Sequence, residues 1–192
     1  AILMLISRLR QALEPDLPKN APSRFVQWRE GRYWFNFDAH YALDTEEFSY
    51  HLEQAKAAGL TADERLTWLG KAVDLYRGRY MNDLANAGAI WLIGVQEHLH
   101  QQAMAAFGVL FEALLEAGRH EEALHRAEQC LAVDRCAEPA HQVKMRSLLA
   151  LGNRPGALRH YQQMVEILEQ DLGIAPDAAS RDLFEKIQAG VS

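Results

Sequence analysis

Apolar residues near the start of the chain recur every three or four positions. Ile2, Ile6, Leu9 and Leu13 fall on one stripe, with Ser7, Arg8, Arg10 and Gln11 mostly off it. That spacing predicts an amphipathic helix over residues 2–14. Pro15, Pro18 and Pro22 punctuate the next stretch, which reads as a loop. Two aromatic-rich runs follow, Arg24 to Arg29 and Arg32 to Phe37, around Glu30-Gly31. They predict a β-hairpin, the one strand signal in the sequence. From Asp44 onward the period is helical. Asp44 or Thr45, followed by Glu46 and Glu47, opens a helix to about Ala58 that Gly59 closes. Thr61-Ala62-Asp63-Glu64 has capping-box spacing and opens another, to about Tyr76. Tyr80 to Gly88 reads as an irregular connection. Further helices are expected over about 90–117, 120–133, 138–151, 154–171 and 178–189.

Two of these segments echo each other. Gly118-Arg119-His120-Glu121-Glu122-Ala123-Leu124 recurs 34 residues later as Gly152-Asn153-Arg154-Pro155-Gly156-Ala157-Leu158. Each copy follows a Leu/Ala-rich helix and opens a second one. Helix, Gly turn and helix at this period is the pattern of tetratricopeptide-type repeats. Such units bury their apolar faces only by stacking, and the stack presents a binding surface. The expected fold is therefore mainly α: stacked antiparallel helix pairs, preceded by one helix and a β-hairpin. Ala123, Ala127, Ala157 and Tyr161 are expected at close helix crossings.

The composition changes this picture in two places. Apolar residues make up 49% of the 192-residue chain, enough for a sizeable core. The formal net charge is −6, but residues 1–36 hold six basic against three acidic residues. A basic surface at one end is the implication. Two cysteines, Cys130 and Cys136, fit no secretion framework. No apolar run approaches the ~20 residues of a membrane span. A cytoplasmic protein with no membrane contact is the expectation.

The stretch Asp74-Leu75-Tyr76-Arg77-Gly78, then Trp91, then Ala157-Leu158-Arg159-His160-Tyr161, then Leu172-Gly173-Ile174-Ala175-Pro176 resembles the bacterial transcriptional activator domain. That helical module belongs to regulators of the antibiotic-regulatory-protein type (SARP-like). Residues 38–192 are assigned to it. Residues 1–37 resemble the last third of an OmpR-type winged helix. Ile6-Ser7-Arg8-Leu9-Arg10-Gln11-Ala12-Leu13 is similar to its recognition helix, and the hairpin around Gly31-Arg32-Tyr33 to its wing. Gln96 and Arg135 depart from the pattern, standing where the family commonly has arginine and proline. The resemblance implies a transcription regulator. It also implies promoter DNA contact through Ser7, Arg8, Arg10, Gln11, Arg29 and Arg32, since arginines on a recognition helix reach both phosphates and bases; a solvated helix face is the blander reading. The helical repeats are expected to serve dimerisation, RNA polymerase contact or a regulatory partner domain. A stand-alone repeat adaptor binding a peptide is the rival reading.

Other side chains invite blander readings. Phe25, Trp28, Tyr33, Trp34, Phe35 and Phe37 could stack single-stranded bases, but a hairpin packing one face on the helix and another on the helical domain explains them. Trp68, Tyr76, Trp91, Phe107 and Tyr161 could line a ligand groove on the concave face, but they are expected as interhelical core or as knobs between repeats. Cys130 reads as a core cysteine, and the Cys130, Cys136, His125 and His141 spacings match no compact zinc pattern. His40, His51, His120 and His160 are expected in caps or on exposed faces. Glu46-Glu47 and Glu121-Glu122 sit in first helical turns, where they meet the helix dipole. No catalytic constellation, metal site or cofactor is implied, so the chain is not read as an enzyme. The unpartnered stripe of Ile2, Ile6, Leu9 and Leu13 is expected either to dock on the helical domain of its own chain or to pair with the same segment of another copy, with the homodimer favoured.

Overall fold

A computed structural model describes residues 2–18, 21–83 and 90–190. The chain divides into two compact units, Ala1–Leu43 and Asp44–Ser192.

The first unit is a helix and a hairpin. Helix α1 spans Ile2–Leu13, and strands β1, Val26–Arg29, and β2, Arg32–Phe35, pair antiparallel. The register is Val26↔Phe35, Gln27↔Trp34, Trp28↔Tyr33 and Arg29↔Arg32. Glu30 and Gly31 sit at φ 50° and 78°, the two positive values that suit the twist of a two-residue hairpin turn. None of the side chains of α1 is buried.

The second unit is all helix among the described residues: α2 Asp44–Ala55, α3 Ala62–Leu75, α4 Ile90–Glu116, α5 His120–Val133, α6 Glu138–Ala150, α7 Arg154–Leu172 and α8 Ala178–Ala189. Antiparallel neighbours pair as α2 with α3, α4 with α5 and α6 with α7, and α8 packs on α6 and α7. α2 stops three residues before the expected Ala58. Of the expected irregular connection, residues 84–88 lie outside the described part.

Local chemistry sets the boundaries. Thr61 and Glu64 form a reciprocal capping box: Thr61 Oγ1 accepts from Glu64 N at 3.2 Å, and the Glu64 carboxylate accepts from Thr61 N at 2.9 Å. The two echoed glycines, Gly118 and Gly152, have φ +68° and +79°. Each lets the next amide reach five residues back, Arg119 N to Leu114 O at 2.9 Å and Asn153 N to Leu148 O at 2.8 Å. A side chain at either position would strain that left-handed turn. The 34-residue echo is therefore one helix-ending turn used twice.

The core is built on close alanine contacts. Ala72, Ala103, Ala123, Ala127, Ala140 and Ala157 are fully buried, and Phe107, Leu110 and Leu114 of α4 fill the space between helix pairs. Ala123, Ala127 and Ala157 thus sit where the repeat pattern put them. Tyr161 is half-buried and stacks on Phe184, ring centroids 4.1 Å apart. Gln96 is buried, with its Nε2 donating to Tyr80 O at 2.6 Å. The Arg135 Nε lies 2.8 Å from Asp171. Both departures from the family pattern are thereby absorbed locally.

Candidate functional site

In the first unit, polar clamps fix the hairpin to the helix. Arg10 lies on the side of α1 that carries Ile6, four residues earlier. Its Nε and Nη2 donate to the Val26 carbonyl at 3.1 and 2.8 Å, and its guanidinium lies 5.8 Å from the Tyr33 ring centroid. Glu14, just past the end of α1, is buried. Its carboxylate accepts from the Ser23 hydroxyl, from Arg24 N at 3.1 Å and from Arg24 Nε at 3.3 Å. The Ser23 bond, joined by those from Arg24, holds the Glu14 carboxyl below its usual range against the opposing pull of burial. Ser23 Oγ in turn accepts from Val26 N at 2.9 Å. Glu14 and Ser23 carry no motif. The available signal was an acidic residue at a helix C-terminus, where the dipole disfavours it unless a donor is near.

The register sorts the hairpin side chains. Val26, Trp28, Tyr33 and Phe35 share one face, and Gln27, Arg29, Arg32 and Trp34 share the other. Arg29 and Arg32 stand directly opposite each other, an arrangement that is unfavourable by itself. Neither has an acidic partner among the described residues, and Arg8 has none either. On α1, Ser7, Arg8 and Gln11 cluster on an exposed side, with Gln11 Nε2 bonded to Pro15 O at 2.6 Å. Arg8 and Arg10, two residues apart, point to different sides. The structure thus groups Ser7, Arg8 and Gln11, leaves Arg29 and Arg32 exposed at the hairpin tip, and turns Arg10 toward the hairpin backbone.

The hairpin aromatics pack chiefly on one another. Trp28 lies 4.6 Å from Tyr33 and Phe35 lies 5.2 Å from Phe37, while Trp28, Trp34 and Phe37 stay exposed.

The second unit brings two histidines together. His141 and His160 are buried, with His141 Nδ1 2.9 Å from His160 Nε2 and His141 Nε2 2.9 Å from Arg135 O. A carbonyl only accepts, so His141 Nε2 holds its proton, His141 Nδ1 accepts, and His160 Nε2–H donates. Burial, reinforced by His141, lowers the His160 pKa to about 4, and burial lowers that of His141 as well. His160 was expected on a cap or exposed face. It falls instead on the inward row of α7 with Ala157, Met164 and Leu168, a row legible from the three- and four-residue spacing.

Cys130 is buried as expected, and desolvation pushes its thiol up to about 12. Tyr76 and Phe107 are buried, and Trp68 packs against the core from its edge. Trp91 departs from expectation. It is 64% exposed, because Leu92, Gln96 and Leu99 define the inward side of α4 and position 91 lies off it. No described helix is long and apolar enough to cross a membrane.

Residues 43–188 match the bacterial transcriptional activator domain, well over half of the chain. The chain belongs to that family. The solved structure of Mycobacterium tuberculosis EmbR in complex with a low-affinity phosphopeptide is similar, with a TM-score of 0.59 and 20% identity. The likeness covers all of this chain and 50% of that one, so the chain spans half the length of EmbR. At this identity the likeness concerns the fold. No curated protein matches the chain.

The activator-domain signature has local physical reasons. In Leu75-Tyr76-Arg77-Gly78, Leu75 ends α3, and the Tyr76 hydroxyl lies 2.9 Å from His100 Nδ1 of α4. Leu172-Gly173-Ile174-Ala175-Pro176 is a stop signal. Gly173 caps α7 at φ +66°, Pro176 is buried, and its carbonyl accepts from Arg181 Nη1 of α8 at 2.9 Å.

Proposed function

We propose that this chain is part of a cytoplasmic, non-catalytic transcription regulator. Its first unit is the end of a winged helix that contacts promoter DNA, and its activator domain serves association with a second copy, RNA polymerase or a regulatory partner. Family membership supports the regulator class. The observation that carries the DNA reading is the set of exposed arginines without acidic partners, Arg8 on α1 and the opposed pair Arg29 and Arg32. Such a like-charge pair is relieved by a phosphate. Ser7 and Gln11 flank Arg8 as polar contacts. Arg10 takes a positioning role, because its Nε and Nη2 both donate to Val26 O and turn the guanidinium toward the hairpin.

The test is duplex binding by fluorescence anisotropy across a salt series. Each phosphate contact contributes roughly 0.9 to the slope of log affinity against log salt. Replacing Arg8, Arg29 and Arg32 by alanine together is expected to flatten the slope by about 3. An unchanged slope and affinity in that variant would sink the reading.

A further inference from the structure

Helix α1 takes one face of the hairpin. Arg10 lies over the Tyr33 ring, and Ile2 and Leu3 border a hollow with Trp28 and Tyr33. The opposite face carries Gln27, Arg29, Arg32 and Trp34. Trp34 is the one large apolar side chain there and is 53% exposed, although tryptophan is highly buried on average. Other hairpin rings have ring partners: Trp28 on Tyr33, and Phe35 on Phe25, Phe37 and Tyr41. None of these pairs includes Trp34.

Trp34 shares its face with Arg32, two residues earlier on β2, an advance of about 6.6 Å. That is the rise of roughly two base pairs. A phosphate between Arg29 and Arg32 therefore brings an adjoining deoxyribose of the same backbone within reach of the indole. The face needs such a contact. Glu30 at the hairpin tip and Asp38 beyond β2 border the same hollow of about 320 Å³ as Arg29 and Trp34, and in the sum of charge they offset the two arginines. Ionic attraction then places the hairpin without holding it firmly. An indole supplies apolar area together with an uncharged N–H donor. We infer that Trp34 is a non-ionic DNA contact, its indole packed on a deoxyribose beside the phosphate that Arg29 and Arg32 hold. The inference rests on the DNA reading above and adds to it a residue whose contribution does not depend on salt.

A salt series of fluorescence anisotropy tests it, on the intact chain with a random-sequence duplex and with a single strand of the same length. Trp34→Thr, which keeps a strand-forming residue, is expected to weaken duplex binding about tenfold at every salt concentration, with the slope unchanged. Arg29→Ala is expected instead to flatten the slope by about 0.9. In the parent, the indole N–H signal of Trp34 is expected to shift as duplex is added, while those of Trp68 and Trp91 stay. Hydrogen exchange at β1 and β2 verifies that Trp34→Thr keeps its hairpin; where it does not, the parent's indole signal decides. An unmoved Trp34 signal overturns the inference and leaves the DNA reading standing. So does a Trp34→Thr affinity within about twofold of the parent's, a loss that flattens the slope with the hairpin intact, or a loss confined to the single strand. If replacing Arg8, Arg29 and Arg32 together also leaves affinity and slope unaltered, both fall.

Discussion

The two units solve the same problem with different means. Helix α4 buries nine residues, among them Phe107, Leu110, Phe111 and Leu114, and the repeat unit closes around them. Helix α1 buries none, and Leu3, Met4 and Leu5 are each more than 60% exposed. What fixes α1 to its hairpin is polar: Arg10 on Val26 O, and Glu14 on Ser23 and Arg24. A packed core resists change everywhere at once. A polar clamp fixes one geometry and leaves most surface free for a partner.

The contrast can be broken most forcefully by truncation. Phe107→Ala is expected to destabilise the protein by about 3–5 kcal/mol, through lost burial and a cavity. Leu5→Ala, at an exposed position, should stay within about 0.5 kcal/mol. Urea unfolding reads both, and equal losses would erase the distinction.

Mild acid bears on the repeat unit through its buried histidines. His141 and His160 have lower pKa values folded than the ordinary 6.5, His160 at about 4. Between those values the unfolded chain binds more protons, so their stabilising contribution is whole above about pH 6.5 and is lost as pH falls towards 4. The expected loss is about 2–3 kcal/mol. His160→Gln should flatten that part of the stability–pH curve. A His160→Gln curve as steep as the parent's would contradict the buried neutral pair.

Arg10→Ala sharpens the comparison from the other side. Removing a charged donor pair is expected to cost about 1–3 kcal/mol locally. Hydrogen exchange should then quicken at the amides of β1 and β2, with the unfolding midpoint of the repeat unit unmoved. Smallest is Ser147→Ala. The Ser147 hydroxyl is buried with no partner among the described residues. Its removal should be neutral or stabilising by up to about 1 kcal/mol in the same urea assay.

The repeat unit was the more legible of the two, for physical reasons. Its signals are local and redundant: the Thr61–Glu64 box, the paired glycines 118 and 152, and the small buried alanines at 34-residue spacing. The hairpin turn at Glu30-Gly31 was also legible. Arg10 and Arg8 look alike in sequence, yet one faces a carbonyl sixteen residues away and the other faces solvent. That difference depends on where the hairpin returns, which no local pattern encodes. The inward placement of His160 was readable from its row on α7, whereas its bond to His141 required the packing of α6 on α7. The exposure of Trp91 was hidden by its size, which favours burial in most contexts.

The division of labour between the units is the central claim, and one NMR titration tests it most directly. Amide and side-chain shifts of the intact chain are followed as a random-sequence DNA duplex is added at low salt. The account predicts perturbations at Ser7, Arg8, Gln11, Arg29 and Arg32, with residues 44–190 unmoved. Perturbations confined to the repeat unit, or none at those five residues, would contradict it.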